Sequence, residues 1–246
     1  MLKVLDSAVP VACWSCSIAH NDSTLFCPHC SKIQPPPGAD FFTVFGLNPH
    51  LNLDPASLEK EFYRLSRRVH PDRFARAAQN EKEWSLADTA LLNDAYRTLN
   101  DPITRTEYLL KLHGAEIGEE HSGKDRRTGK MGASRFPADL LEEVFELNMQ
   151  LEEMRMEHKR GEEDPALKQS LSEARKKFEG LRDAVDQDLY GQWNAWDSGD
   201  EAARHAAQKT MVALLDRRRY LSNLVRDVTE ALEGKEGATI FTQRGR

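Results

Sequence analysis

The stretch from Asp54 to Phe74, DPASLEKEFYRLSRRVHPDRF, decides how this chain folds. Asp54-Pro55 reads as a helix start, with an aspartate at the N-cap and a proline at the first helical position, where a backbone N–H has no partner to lose. Leu58, Phe62, Leu65 and Val69 then recur at steps of four, three and four, so at about 100° per residue they share one helix face, which belongs in a core. Lys60, Arg64, Arg67 and Arg68 fall on roughly the opposite side, read as a cationic stripe without interleaved acids. The helix stops at His70-Pro71-Asp72 because proline cannot continue it. Taken alone, the charge run is a solvated face and the tripeptide a turn in which His70 caps the basic helix.

The same punctuation frames the neighbouring segments. Asp101-Pro102 repeats the helix-start device, and Gly114 ends the last helix of this region. Upstream, Gln34-Pro35-Pro36-Pro37-Gly38 forms a stiff spacer that sets off residues 1–38 as a small unit. Downstream, apolar periodicity vanishes between Glu116 and Arg135, where glycines stand at 118, 123, 129 and 132, so 115–135 is expected to be a flexible linker. Three long amphipathic segments fill 136–234, parted by Gly161-Glu162-Glu163-Asp164-Pro165 and Asp197-Ser198-Gly199-Asp200, the pattern of a three-helix bundle. The second carries Leu167, Leu171, Ala174, Phe178, Leu181, Val185 and Leu189. The third offers Ala207, Met211, Leu214, Leu221, Val225, Val228 and Leu232, interrupted by Arg218, which is expected to snorkel. Residues 235–246 read as a disordered tail, and the chain as a whole as all-α.

Composition narrows the function classes. In 246 residues, 39% hydrophobic and 30% charged content favours small helical units over one large core. No run approaches the roughly 18 apolar residues of a membrane span, and the N-terminus lacks a secretory or Arg-rich transit segment. A bacterial cytoplasmic protein without a membrane partner is expected, the mitochondrial matrix being the alternative for a processed form. Net charge is −6, and the first 38 residues hold only Lys3 and Lys32 as cations, which argues against nucleic acid as a partner.

All four cysteines lie early, as Cys13-x-x-Cys16 and Cys27-x-x-Cys30. Two such knuckles chelate a tetrahedral Zn²⁺ through four thiolates, and so small a segment needs a metal to fold. A redox pair or a pair of disulfides is the alternative; no thioredoxin-like βαβ pattern surrounds either pair. Rubredoxin-like iron is chemically open as well. His20 and His29 are left out of the ligand set because four thiolates already close it, and a closed site is structural and not catalytic. His50, His113, His121, His158 and His205 are read as surface or packing residues.

His70-Pro71-Asp72 after a basic helix, followed by Asn93-Asp94-Ala95-Tyr96-Arg97-Thr98-Leu99 and Asp101-Pro102, resembles a J-domain, the ATPase-activating module of DnaJ-type proteins. That places a four-helix J-domain at 39–114. Phe41-Phe42-Thr43-Val44-Phe45-Gly46-Leu47 and Arg105-Thr106-Glu107-Tyr108-Leu109-Leu110 are similar to the HscB family of iron–sulfur co-chaperones, some of which carry a tetracysteine N-terminal extension. The resemblance implies two protein partners and no enzyme activity. A DnaK/HscA-class ATPase would be met by His70, Pro71 and Asp72 with Arg64, Arg67, Arg68 and Arg73, the last standing where many J-domains have lysine. An IscU-type scaffold would be held by the C-terminal bundle. A monomer or weak dimer is expected.

The scaffold surface has its own pattern. Leu140, Val144, Leu147, Leu151 and Met154 make an ordinary core stripe, while Leu141, Phe145, Met149 and Met156 project roughly 140° away, flanked by Glu142, Glu146 and Glu153. Internal packing and a partner site both account for this second set. The HscB resemblance implies the latter, at Leu141, Phe145, Glu146, Met149, Glu153 and Tyr220, with Glu142 and Met149 departing from the family's apolar-acidic pattern. The rival readings are a general DnaJ-type co-chaperone for unfolded clients, a metal-dependent hydrolase and a zinc-finger nucleic-acid protein. The hydrolase is disfavoured because no acid, base and nucleophile converge.

Overall fold

The computed structural model describes residues 10–21, 24–117, 138–161 and 164–234. Most of the expected linker, His121 and the expected tail lie outside the described residues. Two compact units divide the chain, residues 1–114 and 115–246.

The first unit opens with strand β1 (Pro10–Ala12) antiparallel to β2 (Ala19–Asn21), Val11 facing His20, and an isolated bridge joins Phe26 to Ile33. These strands are the departure from a purely helical expectation. Three residues are too few to leave an alternating pattern, and the pairing is set by the cysteine turns.

Four helices follow: α1 (Phe41–Val44), α2 (Pro55–Val69), α3 (Gln79–Asn100) and α4 (Pro102–Leu112). Asp40, Asp54 and Asp101 each cap one with a carboxylate that accepts backbone N–H groups of the first turn. Gly114 closes the series with φ +76°, its N–H bonded to the Lys111 carbonyl, a left-handed conformation that suits glycine. Phe42, Leu51, Leu58, Leu65, Val69, Leu92, Leu99 and Leu109 form the buried interior. Each such side chain contributes about 1.5–3 kcal/mol of burial. Phe62 lies at the edge of this core, half-buried and stacked on Tyr96 at 4.3 Å. Phe41 stacks on Tyr108 at 4.6 Å and donates its N–H to the tyrosine hydroxyl, which ties α1 to α4.

The inward stripe of α3 is unusual in its chemistry. Glu81, Ser85, Asp88, Leu92, Ala95 and Leu99 are all buried at steps of four and three, so its first half is polar and its second half apolar. The polar half adjoins the turn that joins α2 to α3.

The second unit contains a 3-10 turn (Ala138–Leu140), α5 (Leu141–Arg160), α6 (Pro165–Gly191), α7 (Trp193–Ser198) and α8 (Glu201–Leu232). Val144, Leu147, Leu151 and Met154 of α5 pack with Leu171, Phe178 and Val185 of α6 and Leu221, Leu224 and Val228 of α8. Three details differ from the sequence reading. On α8 Leu215, Leu224 and Ala231 are buried beside Ala207, Met211, Leu221 and Val228, while Leu214, Val225 and Leu232 are only partly covered. Arg218 does not snorkel alone: its Nε donates to Asp186 of α6 at 2.5 Å. The short α7 adds a turn of helix between the long ones, anchored by buried Trp196, whose carbonyl accepts from Arg204.

Candidate functional site

Three groups of residues carry chemistry. The first is the turn between α2 and α3. Val69, fully buried, anchors its start, and the Ser85 hydroxyl donates to the Val69 carbonyl at 2.5 Å. Pro71–Phe74 then forms a 3-10 turn in which His70 Nδ1 accepts the Asp72 N–H at 3.3 Å and the His70 carbonyl accepts the Arg73 N–H at 3.0 Å. Accepting at Nδ1 leaves the proton of the neutral ring on Nε2. The backbone is thus tied down while the His70 and Asp72 side chains remain 57% and 92% exposed.

The arginines beside this turn are not equivalent. Arg64 is paired with Glu61, so the stripe does contain an acid; the pair is an i,i+3 neighbour on the same face, and each partner shifts the other toward its charged form. Arg67 and Arg73 are exposed. Arg68 is half-buried, its guanidinium 4.1 Å from the centroid of the Phe26 ring. Desolvation, reinforced by the nearby charges of Arg64 and Arg73, lowers its pKa from the ordinary value.

The second group is the cysteine cluster. Cys13 and Cys30 Sγ lie 3.6 Å apart, Cys16 and Cys27 Sγ 3.8 Å apart, and all four sulfurs fall within 4.8 Å of one another. A disulfide needs about 2.05 Å, so these are thiols. Thiolates about 2.3 Å from one tetrahedral ion stand about 3.8 Å apart, and the cluster fits that arrangement. The two knuckles repeat each other: Ser17 and Ser31, each one residue past the second cysteine, both have φ 59°, and their N–H groups bond to the Cys13 and Cys27 carbonyls at 2.9 Å. His20 and His29 are outside the cluster; buried His20 instead bonds Gln34, whose amide nitrogen reaches Cys13 Sγ at 3.5 Å.

The third group lies on α5. Leu141, Phe145, Met149 and Met156 are 61%, 68%, 61% and 45% exposed, while the core stripe one face away is buried. Glu146 and Glu153 are exposed beside them. Tyr220 on α8 behaves differently, for it is half-buried against the bundle core, and burial pushes its hydroxyl up to about 12.

No family model matches this chain. Individual relatives do. It is 33% identical over 217 residues to the iron–sulfur cluster co-chaperone protein HscB of Mus musculus, covering 86% of this chain and 79% of that protein. The chain belongs to the HscB family. It is also 41% identical over 111 residues to human HscB, across 44% of this chain and 47% of that protein. The crystal structure of human HscB matches with a TM-score of 0.62 at 28% identity, covering 89% of this chain and 97% of that one. HscB from Vibrio cholerae has the same fold, with a TM-score of 0.54 at 23% identity over 80% of this chain and 99% of that one.

Within this HscB fold, the sequence reading missed how the cysteine segment meets the helices. The proline run does not hold it away: the Trp14 ring lies edge-on to Trp84 of α3 at 5.6 Å, Lys32 pairs with Glu81 at 3.0 Å, and Phe26 carries Arg68. The aromatic flanking each knuckle, Trp14 and Phe26, was the available signal. Asp88 was missed as well. It is fully buried, neither carboxylate oxygen has a hydrogen-bond partner among the described residues, and desolvation raises it to about 7.

Proposed function

We propose that this chain is a non-enzymatic co-chaperone of iron–sulfur cluster assembly that stimulates the ATPase of a DnaK/HscA-class chaperone and delivers an IscU-type scaffold to it. The observation that carries this is the His70-Pro71-Asp72 turn, whose backbone is fixed by its own hydrogen bonds while its side chains project into solvent at the end of a basic helix. Pre-organised donors and acceptors of this kind bind with little ordering cost. Arg67, Arg73, Arg64 and Arg68 supply long-range attraction for an acidic partner surface, which speeds encounter, and the turn then completes docking. No proton transfer by His70 is required.

The scaffold is assigned to Leu141, Phe145, Glu146, Met149 and Glu153, with Tyr220 as a less exposed contributor. An apolar ridge with an acidic rim fits a partner presenting apolar side chains bordered by lysines. Cys13, Cys16, Cys27 and Cys30 would hold one structural zinc, a closed four-thiolate site that supplies folding free energy to the small N-terminal unit and leaves no position for a reactant.

The experiment is a steady-state ATPase assay of a cognate DnaK-class chaperone with this chain, the scaffold, or both. Stimulation by the chain that rises further when scaffold is present supports delivery of one client. Equal enhancement by assorted unfolded polypeptides would favour the general DnaJ-type reading instead.

A further inference from the structure

We propose that Trp14, Phe26 and Lys32 of the cysteine module are positioning residues for the loop end of the α2–α3 hairpin, so that metal in the module sets how firmly the chaperone-docking turn is held. All three contacts converge on that end. Phe26 meets Arg68 in the last turn of α2, Lys32 meets Glu81 in the first turn of α3, and Trp14 meets Trp84 one turn on, with His70–Phe74 between them.

The hairpin needs such support there and not elsewhere. At its far end α3 buries Leu92, Ala95 and Leu99, whereas at the loop end it buries Glu81, Ser85 and Asp88, which add no apolar transfer energy. The Glu81 side chain is only 7% exposed, and Lys32 is its ion-pair partner. Removing that partner leaves a buried carboxylate short of a charge, a change that is costly where exposed pairs are not.

The supporting residues are tied to the metal ligands by the chain itself. Trp14 follows Cys13, Phe26 precedes Cys27, and Lys32 is two residues past Cys30. The Trp14 indole N–H also donates to the Ile33 carbonyl at 2.7 Å, which joins the two knuckles on the side that faces α3. A unit this small is held by its metal, so removing the ion loosens all three supports together.

For its ATPase arm this inference rests on the docking reading above; its exchange arm does not. Hydrogen exchange of the full chain, loaded with zinc and then stripped by a chelator, is followed by mass spectrometry. Stripping is expected to speed exchange at least roughly tenfold in 66–85 while α5 to α8 stay unchanged. In the zinc-loaded protein Phe26→Ala is expected to raise the concentration giving half-maximal ATPase stimulation roughly two- to fivefold, the size of one lost cation–π contact, without lowering the maximum. Phe26→Tyr should restore the parent value. Should Phe26→Ala lose zinc, Lys32→Ala, at an exposed position, is expected to give the faster exchange at the start of α3. Unchanged exchange in 66–85 after stripping overturns the inference. Failure of the parent to stimulate any DnaK-class ATPase overturns the docking reading, and the exchange result then decides this one alone.

Discussion

The Arg68 guanidinium lies over the Phe26 ring, 4.1 Å from its centroid, and so a member of the basic helix stripe is held by the cysteine module. Together with the Arg64–Glu61 pair, this leaves Arg67 as the exposed arginine of α2 without an acidic partner among the described residues. Arg67→Glu should therefore slow association with the ATPase partner more than Arg64→Glu or Arg68→Glu, by roughly three- to tenfold at low salt. Stopped-flow association rates at about 0.02 M and about 0.5 M salt test this, because the Debye length shrinks across that range and should erase most of the difference. Equal effects of the three reversals would contradict it.

The ridge on α5 should matter for binding and not for folding. Replacing Leu141 and Phe145 together by Ala is expected to weaken scaffold binding by about 2–4 kcal/mol, the range of anchor residues. Both are more than half exposed, so denaturant stability should change by less than about 0.5 kcal/mol. Calorimetric titration beside a urea melt separates the two. A large loss of stability with unchanged binding would make the ridge internal packing.

Asp88 gives the first unit a pH dependence of known sign. Its folded pKa, about 7, lies above the ordinary value of 3.8, so between these values the folded state binds more protons than the unfolded one. Stability should then fall as pH rises through this window and level off above about 7, by about 2–4 kcal/mol in all. Asp88→Asn should remove most of the slope and be more stable than the parent at about pH 8. Urea unfolding of both proteins at several pH values is the measurement. Parallel pH profiles would show that Asp88 finds a compensating partner.

Much of this was written in local pattern. Asp54-Pro55 and Asp101-Pro102 start helices in the structure because a capping carboxylate and a proline act within a single turn. The split of α5 into a buried and an exposed apolar set follows from angles alone. On α8 the pattern failed by one residue for an equally local reason: Leu214-Leu215, Leu224-Val225 and Ala231-Leu232 are adjacent apolar pairs, and either member satisfies the period. Only packing against the neighbouring helices decides between them. The Glu61–Arg64 pair was present in the i,i+3 spacing and was overlooked. Contacts such as Trp14–Trp84 are another matter, for they join residues seventy apart that share no period.

The proposal that the turn activates an ATPase is tested most directly by His70→Gln, assayed for stimulation of a cognate DnaK-class ATPase across a concentration series. His70 is exposed and its bonds are confined to its own turn, so the helical content and the scaffold affinity of the variant should match the parent. Stimulation should be lost at every salt concentration, and excess protein should not restore it as it would for Arg67→Glu. A His70→Gln protein that stimulates as strongly as the parent would contradict the assignment.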